Sequence, residues 1–186
     1  MNIVQAIPQD LDRVITLIRS CIAHMRAQGI EQWDEIYPDR ATFEQDVVEG
    51  TLYLAVEQQG CCGICVLNEH QDPTYATIPW SYCEGKVLVV HRLAVDPQHQ
   101  GRGIASQLML FTEAYGRAHG YRTIRLDAFC KNPSAVRLYT KSHYRLAGTG
   151  TMRKGPFYCF EKCLDHAESA PAVSPQQQLA ARDPVE

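Results

Sequence analysis

The sequence predicts an α/β domain built on a mixed central β-sheet. Apolar residues recur at helical spacing in the first segment, and strand-like and helix-like runs alternate through the second half. Their order is ααββ followed by βαβαββ, which calls for a layered α/β architecture. A chain of 186 residues can bury a substantial core without disulfides or metal. Its 45% hydrophobic and 21% charged residues exclude a collagenous, coiled-coil or wholly disordered chain.

The elements follow in order. Residues 8–28 predict a helix: Pro8 suits an early helical position, Leu11, Val14, Ile15, Ile18, Ile22 and Met25 recur three and four apart, and Gly29 supplies a stop. A shorter helix follows Asp39 as N-cap, with Phe43 and Val47 on its apolar side and Gly50 ending it. Residues 51–58 and 61–68 read as strands joined by a Gln59-Gly60 hairpin turn. The 70–85 stretch predicts a long irregular loop of the kind that often carries function. Residues 86–95 form the most apolar strand, too apolar for a solvent-facing edge. A helix over 103–119, a strand over 122–130 and a short helix over 133–142 capped by Asn132 come next. A closing antiparallel pair spans 144–149 and 157–163. Residues 165–186 hold three prolines, a Gln176-Gln177-Gln178 run and no aromatic residue, so a disordered tail is expected after a domain of residues 1–164.

Composition also narrows the partners. A net charge of −3 without a Lys/Arg block argues against nucleic acid. No run of about 18 apolar residues is available to span a membrane. The first residues carry neither a basic region nor an apolar core typical of a secretion signal. The eight cysteines are therefore expected to be reduced, buried small hydrophobes in a cytoplasmic protein. Cys62-Gly63-Ile64-Cys65 is the one metal-like spacing. Strand alternation would turn those two thiols to opposite faces, and no second Cys/His pair has zinc-site spacing, so no metal is expected.

The informative segment is Val95-Asp96-Pro97-Gln98-His99-Gln100-Gly101-Arg102-Gly103-Ile104-Ala105, which leaves a buried strand and opens a helix. Gly101 and Gly103 let backbone N–H groups approach a ligand, and the new helix adds its free N–H groups and positive dipole end. These features suit a pyrophosphate, with Arg102 available for a charge-assisted contact. A P-loop would need Gly-Lys-Ser/Thr, and a dinucleotide fingerprint would need glycine at Ser106. A glycine-rich turn that binds nothing is the competing interpretation.

The run Gln100-Gly101-Arg102-Gly103-Ile104-Ala105 resembles the Gln/Arg-x-x-Gly-x-Gly/Ala signature of the GCN5-related N-acetyltransferase (GNAT) superfamily. Leu93-Ala94-Val95-Asp96-Pro97 is similar to the exit of that family's fourth strand. Asn132, Ala135, Leu138 and Tyr139 resemble its Asn-x-x-Ala-x-x-Leu/Phe-Tyr helix. His143 stands where the family usually has glycine. The likeness spans residues 1–164 in element order, with the diagnostic motifs confined to residues 87–146.

The resemblance implies a central sheet of six to seven strands flanked by helices and splayed between the fourth and fifth strands, with acetyl-CoA as cosubstrate entering the splay. It assigns Leu93, Ala94, Val95, Gln100, Gly101, Arg102, Gly103, Ile104, Ala105, Ser106, Asn132 and Ala135 to the cofactor. It implies direct attack of an amine on the thioester, with Tyr139 as general acid for the departing thiolate. His91 is the candidate base, since alternation would place it on the face of Leu93 and Val95 and its reference pKa is about 6.5. Glu84 and Asp127 are alternatives, and Asp127 could instead attract the acceptor's ammonium group. Each has a plainer role open to it: Tyr139 as a packing aromatic, His91 as a histidine satisfied near the sheet edge. Trp33, Tyr37, Tyr75, Trp80 and Tyr82 fall on segments bordering the acceptor side, either as an aromatic amine pocket or as loop anchors.

The expected activity is N-acetyl transfer to a small-molecule amine. Acetylation of a protein N-terminus or lysine is the second enzymatic possibility, and a non-catalytic acyl-CoA sensor the third. The family commonly forms dimers, which makes a homodimer an expectation.

Overall fold

The computed structural model describes residues 1–58, 60–82 and 84–164. The expected tail of residues 165–186, Gln59 of the hairpin turn and Cys83 lie outside the described residues. Seven strands form one sheet in the order β1-β2-β3-β4-β5-β7-β6. They are β1 Asn2–Gln5, β2 Leu52–Glu57, β3 Gly60–Asn68, β4 Lys86–Val95, β5 Tyr121–Phe129, β6 Arg145–Met152 and β7 Gly155–Cys163. All neighbours are antiparallel except β4 and β5. The mixed α/β class is as the sequence predicts. The short edge strand β1 is the one strand its residue pattern did not reveal, because four mostly exposed residues carry no alternation of their own.

Among the described residues four helices cover the sheet: α1 Leu11–Ala27, α2 Arg40–Val48, α3 Ile104–Ala118 and α4 Pro133–Lys141. Two of the predicted caps are present as hydrogen bonds. Asp39 accepts from the Thr42 N–H at the start of α2, and Asn132 accepts from the Ala135 N–H at the start of α4. At the far end of α4, His143 takes φ 60°, a left-handed conformation that favours glycine. The Tyr144 N–H to Tyr139 carbonyl and His143 N–H to Thr140 carbonyl bonds close the helix there in a Schellman arrangement. No helix among the described residues is long and apolar enough to cross a membrane.

One core packs α3 and α4 on one face of the sheet through Ile104, Leu108, Met109 and Tyr139 against Leu88, Val90, Ile124 and Leu126. A second packs α1 and α2 on the other face through Val14, Leu17, Ile18 and Phe43 against Leu54, Ile64, Val66 and Ala94. The 73–80 segment covers the rest of that face with Tyr75 and Ile78 on Val89 and Cys159.

Two irregularities shift the alternation that the sequence alone suggests. Val66 of β3 pairs with His91 of β4 and Ile64 with Ala94, so the single residue Cys65 faces two, Arg92 and Leu93. Arg92, at φ 49°, absorbs the extra residue as a bulge. In β3, the register slips where Ala55 pairs with Gly63 but Val56 with Cys61. Cys62 and Cys65 consequently both enter the α3-side core instead of diverging. Burial lifts the Cys65 and Cys21 thiols to about 12 and Cys61 to about 11, so these cysteines are protonated apolar fillers.

Candidate active site

The β4–β5 ladder runs from Lys86–Tyr121 to Val90–Leu126 and stops. Beyond it β4 continues to Val95, still paired with β3, and β5 continues to Phe129, still paired with β7. Two parallel strands therefore separate with their facing backbone edges unpaired. A cavity of about 830 Å³ occupies the opening and connects the two faces of the sheet.

One wall is backbone. Leu93, Ala94 and Val95 line it from β4, and Gln100, Gly101, Gly103, Ile104, Ala105 and Ser106 line it from the following turn. Asp96 accepts from the Gln98 N–H, and the Gln100 carboxamide donates back to the Val95 carbonyl, which holds the turn against the strand end. Gly101 and Gly103 sit at φ 77° and 80°, and a Cβ at either would meet nothing within 4 Å. Glycine is required there for its backbone angles, since a side chain would have room. Gly103 is the N-cap of α3, so the first N–H groups of the helix open onto the cavity.

Arg102 does not join this wall. Its guanidinium turns outward to the Glu57 carboxylate, 2.8 Å away, and it does not line the cavity. The two flanking left-handed glycines present backbone to the cavity, which leaves the side chain between them on the opposite side. Glu57, Cys62 and His99 come together nearby with ligand-type atoms within 4.8 Å of one another, a cluster from three elements that no local spacing announced.

Tyr139 reaches the cavity from the α3-side core, where it packs on Tyr144 and Phe160. Burial raises its hydroxyl well above the usual phenol range, and among the described residues it forms no hydrogen bond. Ala135 and Asn132 line the cavity from the same helix. The Asn132 amide nitrogen also donates to Gln32, at 3.0 Å, which ties α4 to the segment after α1.

The other wall belongs to the opposite face of the sheet and is made of side chains. His91 lines it, but the Arg92 bulge puts His91 on the face of Val66 and Ala94 and not with Leu93 and Val95. Its Nε2 lies 2.9 Å from the Asn68 carboxamide oxygen and 3.0 Å from the His70 carbonyl. Two acceptors make Nε2 the protonated nitrogen. Burial and the neighbouring Arg92 lower His91 to about 4, below the range useful to a base at neutral pH.

Across the opening, one step past the last ladder pair, stands Asp127. Burial raises its carboxyl to about 6, although the Tyr75 hydroxyl donates to it at 2.8 Å. Asp72 lines the same cavity. Trp33 and Tyr37 also line it, and the Tyr37 hydroxyl accepts from Arg92 at 2.7 Å.

Trp80 does not line the cavity. The short helical turn Pro73–Thr77 sends Tyr75 inward and leaves Trp80 beneath it, with its indole N–H on the Tyr75 carbonyl and the Arg125 guanidinium 4.4 Å over its ring. It anchors the loop that carries Tyr75.

A model of the acetyltransferase (GNAT) family matches residues 18–144. The chain belongs to the GNAT acetyltransferase family. The fold agrees with solved GNAT structures. A GNAT family acetyltransferase from Streptococcus agalactiae 2603 is 23% identical with a TM-score of 0.78, over 87% of this chain and 94% of that one. One from Listeria monocytogenes 4b F2365 is 21% identical with a TM-score of 0.70, over 87% and 94%. The ribosomal-protein-S18-alanine N-acetyltransferase from Escherichia coli is 15% identical with a TM-score of 0.64, over 91% and 97%. Among curated proteins no sequence matches.

For this GNAT chain, several cavity residues escaped the sequence reading: Asp72, Arg92, Arg153 and Lys154. Arg153 and Lys154 form a basic pair in the turn between β6 and β7, a signal that was available. Asp72 and Arg92 had none, since a tertiary fold over the sheet and a bulge place them.

Proposed function

We propose that this protein transfers an acetyl group from acetyl-CoA to the primary amine of a small molecule by direct attack. The observation that carries this is a single cavity joining the backbone turn at Gly101–Ser106 and the buried Tyr139 hydroxyl to Asp127 on the other face. The left-handed glycines and the open helix start fit a pyrophosphate, and the unpaired edge of β4 beyond Val90 fits an amide-bearing arm. The thioester supplies an activated acyl carbon.

Asp127, ionised above about pH 6, draws the acceptor's ammonium to the opening. The ammonium first gives one proton to solvent, which frees the nitrogen lone pair for attack; as the new C–N bond forms, the nitrogen becomes acidic and passes a second proton to Asp127. The C–S bond breaks, and Tyr139, kept protonated by burial, donates to the sulfur as its charge develops. His91, low in pKa and donating through Nε2, serves this scheme as a fixed wall instead of a base.

A small acceptor is favoured over a peptide by the acceptor end of the cavity. Asp34 there binds Arg153 through two contacts of 2.8 and 2.9 Å and Lys154 at 2.7 Å, strapping the segment after α1 to the β6–β7 turn. The cysteine content favours a reducing, cytoplasmic compartment. The deciding experiment is release of free CoA thiol from acetyl-CoA with a panel of small amines, amino acids and peptides. Turnover with small amines is expected. Turnover with peptides alone would replace the small acceptor by a protein terminus, and tight acetyl-CoA binding without any turnover would make the protein a sensor.

A further inference from the structure

We infer that the acceptor is an amine that also carries a carboxylate, with Arg153 and Lys154 holding the carboxylate while Asp127 receives the ammonium. The inference rests on the acetyl-transfer reading above and specifies its substrate.

The cavity is charged with opposite signs at its two ends. Asp72 and Asp127 supply negative charge beside the opening of the sheet, where the cation of Arg92 is paired with Asp46, and Arg153 and Lys154 supply positive charge at the β6–β7 turn. An amine alone would need only the first. Among the described residues the second is not fully neutralised: Asp34 is the carboxylate both cations share, so one positive charge is left over there. Asp34 also accepts from the Ile36 and Tyr37 N–H groups, which holds it in place as a permanent strut.

Donors remain as well as charge. A guanidinium has five N–H donors and an ammonium three. Arg153 uses two on Asp34, and Lys154 makes one contact to it. The Lys154 side chain is only 22% exposed, so much of its hydration has been given up on the wall of a cavity. A second carboxylate, brought by the acceptor, would use the surplus charge and the free donors with the geometry Asp34 already displays. On β7, Cys159 pairs with Asp127, and Lys154 lies five residues nearer the turn. That is a span of roughly 16 Å at ~3.3 Å per residue, shortened by the long lysine stem.

The test pairs each ω-amino carboxylate from glycine to 6-aminohexanoate with an n-alkylamine of the same chain length. CoA thiol release gives kcat/KM for each, corrected for the fraction of free amine. In the wild-type protein at least one amino carboxylate is expected to exceed its alkylamine partner by about tenfold or more, the effect of one charge-assisted contact. Lys154→Met should remove most of that preference, raising KM for the amino carboxylate by a much larger factor than for its alkylamine partner. General loosening of the strap would weaken both members of a pair alike, and that result would overturn the inference. So would equal use of both members by the wild-type protein, a comparison that needs no variant to fold. Turnover of alkylamines without preference would leave acetyl transfer standing, whereas no turnover of any member despite acetyl-CoA binding would overturn both.

Discussion

The two walls of the cavity are built from different materials. The wall between Leu93 and Ser106 comes from one short run of the chain, shaped by two left-handed glycines and the start of α3. The wall opposite is assembled from His91, Asp127, Trp33, Tyr37, Arg153 and Lys154, side chains on separate strands and loops. A backbone wall depends on φ and ψ and tolerates change in most side chains. A side-chain wall depends on tertiary packing and on the ionisation of individual groups, so it can be retuned for a new acceptor without disturbing the first. This division fits one fold that serves many acceptors.

The largest effect should come from the residue between the walls. Tyr139→Phe keeps the aromatic packing on Tyr144 and Phe160 and removes only the hydroxyl. Turnover is expected to fall about a hundredfold or more, with acetyl-CoA affinity by calorimetry close to wild type. Equal losses in both would make Tyr139 a packing residue.

The side-chain wall should respond to pH. Below about 6 Asp127 takes a proton and loses its hold on the ammonium, so kcat/KM for the acceptor should fall on that side. Asp127→Asn should lower activity roughly tenfold or more at pH 8 and abolish the limb near 6. A limb near 4 that survives in Asp127→Asn and disappears in His91→Ala would return the base role to His91. Stability carries the opposite sign. A carboxyl with a raised folded pKa costs stability above that pKa and stops costing it as pH falls from about 6 toward its ordinary value. Asp127→Asn should thus melt at a higher temperature than wild type at pH 8 while working less well.

The backbone wall should respond to strain. Gly103→Ala adds a methyl with nothing within 4 Å but imposes a side chain at φ 80°. The left-handed conformation costs about 1–2 kcal/mol, so acetyl-CoA KM should rise about tenfold with kcat nearly kept. Arg102→Ala should do least. Its pair with Glu57 is half exposed and screened, and acetyl-CoA KM should change by less than about twofold. A tenfold loss would show that Arg102 swings into the site when the cofactor binds.

Legibility followed the same division. The turn at Gln100–Ser106 and the Asn132–Tyr139 helix are contiguous, and each carries its geometry in residue types: glycine where φ is positive, asparagine where an N–H needs a cap. Regular alternation breaks at two points in the strands. The extra residue at Arg92 moved His91 to the other face, and the slip near Cys62 turned two cysteines the same way. Arg102 belongs to the matched turn and Trp80 to the 70–85 loop, but packing turns the Arg102 guanidinium to Glu57 and leaves Trp80 as the loop anchor, the other role open to it.

The sequence by itself determined the class of fold, the two helix caps at Asp39 and Asn132 and the glycine turn that opens α3, because each depends on interactions between residues close along the chain. Tertiary structure alone decided which charges face the acceptor. The separation of β4 from β5, the bulge between β3 and β4, and the strap from Asp34 to Arg153 and Lys154 join residues up to 120 positions apart. A one-residue shift in register reverses the face a side chain points to, and nothing in the local pattern of β4 marks that shift.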